Sequence, residues 1–274
     1  MRFTGEVSLP PGPPTGTALG PLRERYADWL ALDTPGVLAR RDDEPGAIQA
    51  LQLLLRLERT AAPSWHRALA MAATACAALC LDARSEPGGE WYDAVAGYTA
   101  GHIRKVTRRA RGAQWDATAT LPGLSMIDGD TQIRAILPGP VQELDQRIGK
   151  LQVGGTDLPI DNPPPDVTGP VLRVWVPSEP RMTAGKLMAQ TGHAGMIAAA
   201  LLAGDDPAAL ATWAAAGCPA TVRRPDPEEY AGLLEWMTSL EKAWQERGLL
   251  AVRDAGFTEI APATVTVIAR APRM

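Results

Sequence analysis

Three residues with chemistry to offer, Lys186, Gln190 and His193, stand at i, i+4 and i+7 within MTAGKLMAQTGHAGMI, residues 182–197. On a helix that spacing puts all three on one face. The rest of the segment is mainly Ala, Gly, Leu, Met and Ile. A polar stripe on an otherwise buried-looking helix asks for a role beyond packing. Lysine is not the default cation of this chain, which has four lysines against 23 arginines. It is also a different donor: a compact, adjustable ammonium rather than a planar fork. A second stretch, RDAGFTEIAPATVTV at 253–267, answers the first from near the C-terminus.

The basic segment 104–111 is the other concentration of charge. Arg104, Lys105, Arg108, Arg109 and Arg111 occur there with no acidic residue, and His102 precedes them. Read as a helix, Arg104, Arg108 and Arg111 form one stripe with Lys105 and Arg109 beside it. In a generic protein such a stripe is a solvated face. Cys76 and Cys80 stand at i, i+4, but no His or further Cys completes a metal set, so they read as small buried side chains. His66 has no partner that the sequence identifies, and the eight tryptophans read as core or interface anchors.

The elements that must position these residues fall into two parts. Apolar residues at helical spacing predict helices over 22–32, 47–57, 65–81 and 91–111. Alternation then predicts a β-hairpin over 115–137, with strands at 115–120, 124–127 and 131–137 around the turn Asp128-Gly129-Asp130. A short helix is expected at 141–151. Residues 9–21 are dense in Pro and Gly and read as an extended arm, so 1–21 precedes the first domain. Residues 161–170, DNPPPDVTGP, read as a linker, with the domain boundary there. Beyond it come a strand at 171–176, helices at 184–203 and 206–216, and a strand at 220–223. A helix then opens at Pro225-Asp226 and runs to 247, followed by strands at 249–252 and 264–270. The class is α/β: a mixed β-sheet flanked by helices over 171–274, preceded by a mainly helical domain over 22–160.

Composition narrows the setting. The net charge of −4 and hydrophobic share of 46% describe an ordinary globular chain with no global basic signature. Three cysteines make no disulfide framework, which favours a reducing compartment. No signal-like core is read at the N-terminus, and no apolar run is read as reaching the ~18 residues of a membrane span. The expected location is the cytoplasm.

Four blocks then carry a resemblance. They are Met182-Thr-Ala-Gly185-Lys186-Leu-Met-Ala-Gln190-Thr-Gly-His193-Ala194, Trp213-Ala-Ala-Ala-Gly217-Cys218-Pro219, Pro225-Asp226-Pro-Glu228-Glu229 and Asp254-Ala-Gly256-Phe257-Thr258-Glu259-Ile-Ala-Pro262-Ala-Thr264-Val-Thr266. In this order, residues 171–274 resemble the type II peptidyl-tRNA hydrolase family. The resemblance implies hydrolysis of the ester between a peptide, or a blocked amino acid, and the tRNA 3′ end. It carries Lys186, Asp254, Thr258 and Thr266 over as catalytic positions, with no metal or cofactor. Ester hydrolysis needs a positioned water and a donor to the developing oxyanion. Asp254, before the turn at Gly256, would orient water, Lys186 would donate, and the two threonine hydroxyls would hold ester or water. Gln190 and His193 line the same face as substrate contacts, His193 in a supporting role rather than as a base.

The pattern is not complete. Ala184 replaces the family's first motif lysine, Phe257 a basic residue, Glu259 a glutamine, and Pro177 an arginine. Each change lowers the positive charge offered to an anionic tRNA end. The alternative is therefore a non-hydrolytic tRNA-binding protein on a hydrolase fold. Under either reading Arg104, Lys105, Arg108, Arg109 and Arg111 are candidate tRNA backbone contacts. A homodimer is implied by the family; no DNA or membrane partner is expected.

Overall fold

The computed structural model describes residues 1–4, 7, 12–31, 48–254, 260–261 and 264–273, with the backbone alone over 27–31. A short strand β1 (Arg2–Phe3) comes first, then a 3-10 turn at Thr17–Leu19 and helix α1 (Gly20–Ala31). Next are β2 (Gln49–Arg56), α2 (Trp65–Leu81), α3 (Tyr92–Ala100), β3 (Arg104–Ala110) and α4 (Gly112–Asp116). β4 (Gly123–Asp128), β5 (Thr131–Ile136), β6 (Gly139–Pro140) and α5 (Gln146–Gly149) complete the first part. Its strands form one sheet in the order β1-β4-β5-β2-β3, with β6 also pairing β2.

Two segments read as helices are strands. QALQLLLR, residues 49–56, has good helix formers throughout, yet it runs through the sheet interior with six consecutive residues buried. Leu51, Leu53 and Leu55 enter the main core, while Leu54 joins a second cluster with Trp115 and Ile136 on the other face. A strand buried on both faces presents a continuous apolar run, which periodicity does not separate from a buried helix. The helix expected over 91–111 ends at Ala100, and 104–110 is the edge strand β3, parallel to β2 from Ala50↔Arg104 to Arg56↔Ala110. Parallel neighbours need a long crossover, which α2 and α3 supply. Charged side chains suit an edge strand, because they discourage further pairing. The expected helical stripe of Arg104, Arg108 and Arg111 does not exist.

The hairpin forms as expected. β4 pairs β5 out to Asp128↔Thr131, leaving Gly129 and Asp130 as the turn, and Gly129 takes φ +56°. Residues 115–120, expected as a strand, instead close α4 and a run of turns. The end of the Pro/Gly-rich arm is tied down: the Thr15 backbone N–H donates to Glu86 at 2.8 Å, and Ala18 and Leu19 are buried.

After residue 170 the chain gives β7 (Leu172–Trp175), α6 (Ala184–Asp205), α7 (Pro207–Ala215), β8 (Ala220–Arg223), α8 (Pro227–Trp236), α9 (Leu240–Arg247), β9 (Leu249–Arg253) and β10 (Val265–Arg270). The helix expected from 225 to 247 is thus two helices, broken at Met237–Ser239. Asp226 caps α8 by accepting from the Glu229 backbone N–H at 2.8 Å, and Glu228 and Glu229 in the first turn suit the helix dipole. The second sheet is mixed, in the order β8-β7-β10-β9, with β7 parallel to β8 and antiparallel to β10.

α2 and α6 pack on one another, and each touches strands of both sheets. That shared position explains their composition. In α2 every residue but Arg67 is buried, so no polar face remains. Gly195 of α6 lies against α2 so closely that a Cβ there would come 2.2 Å from the Ala73 carbonyl oxygen. By length and composition α6 could cross a membrane, contrary to the reading of the sequence, but most of it is buried between the two sheets. Residues 161–170 are held from both sides. Asp161 accepts from the His66 backbone N–H at 3.2 Å and lies 2.7 Å from its ring Nδ1, while Arg223 donates to the Pro164 carbonyl at 2.9 Å.

Candidate active site

A cavity of about 620 Å³ opens between α1, β3, the loop at 153–156, the first half of α6 and the end of β9. It contains the face predicted from spacing: Lys186, Gln190 and His193 all line it. The local start of α6 follows from Thr183, whose hydroxyl accepts from the Lys186 backbone N–H at 3.2 Å. An ammonium in a first helical turn sits at the positive end of the dipole, an unfavourable place for it. Asp254 offsets that. It follows β9, is 3% exposed, and forms an ion pair with Lys186. Its backbone N–H donates to the Thr264 carbonyl at 2.9 Å, which fixes the carboxylate relative to β10.

Thr266 is fully buried on β10, and its hydroxyl lies 2.8 Å from Gln190 Oε1 and 3.1 Å from the Val252 carbonyl. It does not line the cavity. Its contact orients Gln190, which does. Thr258, Phe257 and Glu259 lie outside the described residues. Ala184 opens α6 as a buried residue.

The basic segment divides. Arg104 and Lys105 line the cavity. Arg108 turns inward, donating to Gln52 Oε1 and to the Leu151 carbonyl, both at 2.9 Å. Arg109 donates to the Gly155 carbonyl at 3.2 Å and to Gln152. Arg111 is exposed beside a smaller hollow lined by Arg59, Arg109, Lys150 and Glu58.

Lys105 reaches His193 across the two parts of the chain, with Nζ 3.2 Å from Nδ1. Burial pushes the Lys105 ammonium down to about 8, against an opposing pull from Cys76 and Cys80. Burial also holds the His193 imidazole well below its usual value, with the Lys105 and Lys186 cations acting the same way. The Cys76 thiol is raised by burial to about 11, so it behaves as packing rather than as a nucleophile. Among the described residues no three of His, Cys, Asp and Glu gather as a metal site.

Tyr26, Arg25 and Thr156 also line the cavity, and nothing in their sequence context marks them; Arg253, which lines it too, opens the second motif stretch. Tyr26 closes one side. Its hydroxyl accepts from the Ala251 backbone N–H at 3.0 Å and donates to the Ala251 carbonyl at 3.2 Å. β9 is the edge of its sheet, so α1 satisfies backbone groups that a bare edge would expose. Basic groups from α1, β3, α6 and β9 face the cavity, against Asp254 as the acid among the described lining residues. Such a balance favours an anionic ligand.

Residues 171–274 match the family model for peptidyl-tRNA hydrolase PTH2. That span, which includes Lys186, Gln190, His193, Asp254 and Thr266, is a type II peptidyl-tRNA hydrolase domain. No curated protein matches the chain.

Proposed function

We propose that this chain hydrolyses the ester joining a peptide, or an N-blocked amino acid, to the 3′ end of tRNA, and releases free tRNA. The supporting observation is the Lys186–Asp254 ion pair on the wall of a net-basic cavity, within the span that matches the hydrolase family. Asp254 orients a water against the ester carbonyl, and Lys186 donates to the oxygen as it gains charge. Water adds to the carbonyl carbon, the bond from that carbon to the ribose oxygen breaks, and the ribose oxygen takes up a proton and leaves as the terminal hydroxyl of free tRNA, while the water oxygen stays on the acid. Thr258 and Thr266 hold the ester or its water, Thr266 by orienting Gln190. The reading needs no cofactor.

The tRNA strand follows the basic groups. Arg104 stands at the cavity, and Arg109 and Arg111 border the second hollow with Arg59 and Lys150. On this reading the chain comprises an arm at 1–21, an N-terminal unit at 22–160 that completes the site, a linker at 161–170 and the hydrolase unit. It works in the cytoplasm, as a homodimer like the family it resembles; sedimentation tests the dimer.

The assay is release of an N-acetyl amino acid from N-acetyl-aminoacyl-tRNA. Lys186→Ala and Asp254→Ala are each expected to lower the rate about 10²-fold or more. An inactive wild type, under conditions where a family member cleaves the same substrate, would sink the proposal. Ala184, buried where the family places a lysine, favours the second reading, a non-hydrolytic tRNA binder. In that case tRNA affinity survives Asp254→Ala and no ester is cleaved. Charge reversal at Arg59, Arg111 and Lys150 lowers affinity and flattens its salt dependence under both readings.

A further inference from the structure

Lys105 and His193 enter the cavity from different elements, strand β3 and helix α6. An ammonium group has three N–H donors and no lone pair. Lys105 Nζ has three acceptors in reach: the Tyr98 hydroxyl at 3.3 Å, the Ile103 carbonyl at 3.5 Å and His193 Nδ1 at 3.2 Å. The Tyr98 hydroxyl proton goes to the Arg104 carbonyl at 2.8 Å, so its oxygen accepts from Lys105. His193 Nδ1 must then accept as well, and the ring proton resides on Nε2. The stem of Lys105 is packed in place, since a Cβ on Gly192 would lie 3.0 Å from its Cδ. Burial and the two nearby lysines keep the imidazole neutral.

His193 lies seven residues beyond Lys186, about 10 Å along the helix axis. It therefore addresses a different part of the substrate from the scissile ester. The cavity wall also includes Leu22, Ile103, Val106 and Ile197. Apolar lining beside a neutral donor suits an acyl chain and its carbonyls, as the cavity's arginines suit the phosphates. We propose that Lys105, contributed by the N-terminal part of the chain, fixes His193 as a neutral Nε2–H donor to a carbonyl of the substrate's acyl portion. Lys105 is a positioning residue and His193 the contact. The inference rests on the hydrolase reading for the substrate, not for the geometry.

Two measurements on the full chain test it. Long-range ¹H–¹⁵N spectra of the three histidines should show His193 protonated on Nε2 with Nδ1 bare, and Lys105→Met should remove that bias. Binding is then measured with an N-acetyl-aminoacyl-tRNA analogue carrying a non-cleavable 3′-amide, against uncharged tRNA. Lys105→Met and His193→Phe should each weaken the acylated analogue about tenfold, leave uncharged tRNA unchanged, and add nothing when combined. A His193 protonated on Nδ1 in the wild type overturns the proposal, and that result stands even if Lys105→Met fails to fold. Equal losses on acylated and uncharged tRNA overturn the acyl assignment, as does the absence of any loss. A wild type that binds the amide as expected yet cleaves no ester defeats the hydrolase reading and leaves this inference standing.

Discussion

Two lysines share one cavity and are held in different ways. Lys186 meets a carboxylate, Asp254, and both partners come from the hydrolase span. Lys105 meets a hydroxyl, a carbonyl and a neutral imidazole, and its partners come from both parts of the chain. The first is an ion pair that joins the start of α6 to the end of β9. The second is a cation in a nest of neutral acceptors, which orients its neighbour without neutralising itself. A site with both can place charge at one point and direction at another. It also depends on the N-terminal part for the second.

That dependence predicts the largest effect. Residues 166–274 alone would expose the face of α6 that packs on α2 and β3, together with the β9 edge that Tyr26 covers. This fragment is expected to aggregate or to lose cooperative thermal unfolding, while the full chain unfolds cooperatively. A soluble fragment with a sharp transition would make the two parts independent. Next, Asp254→Ala leaves the Lys186 charge without its carboxylate and should cost about 3–5 kcal/mol in denaturant unfolding, with Lys186→Met/Asp254→Leu recovering much of it. Tyr26→Phe strips both partners from Ala251 and should cost about 1–3 kcal/mol.

The smallest effect is a slope. Lys105 titrates lower in the folded protein, about 8 against 10.5 for the unperturbed group, because of burial. Between those values the unfolded chain binds more protons than the folded one, so stability from this group rises with pH across that window and is lost as pH falls through about 8. Melting temperatures of wild type and Lys105→Met, compared from pH 7 to 10, should shift in favour of the wild type as pH rises. A constant difference would mean that Lys105 is not held in a desolvated place.

Legibility followed what each segment buries. The 184–205 helix, the Asp226 cap and the Gly129 turn are local chemistry, and each was read close to where it stands. The 49–56 strand is not legible in the sequence, because Leu, Gln and Ala favour helices and burial on both faces removes the alternation that marks a strand. The 104–110 strand is hidden in the same way, because Arg and Lys are helix formers and its strand state comes from pairing with β2. The basic stripe vanished with that helix, and Lys105 moved from an expected tRNA-facing surface to the wall of the site.

By itself the sequence determined the polar face of Lys186, Gln190 and His193, because a 3.6-residue period is written into neighbouring positions. Through motif order it also set Asp254 and Thr258 opposite that face; Asp254 meets Lys186 there, and Thr258 lies outside the described residues. Only the tertiary structure decided that Lys105 sits on His193, 88 positions away, and that Tyr26 closes the β9 edge, 225 positions away. Both contacts require the first sheet and α1 to pack against α6 and β9. No local period or spacing carries that packing, which follows from where buried area is shared between α2 and α6.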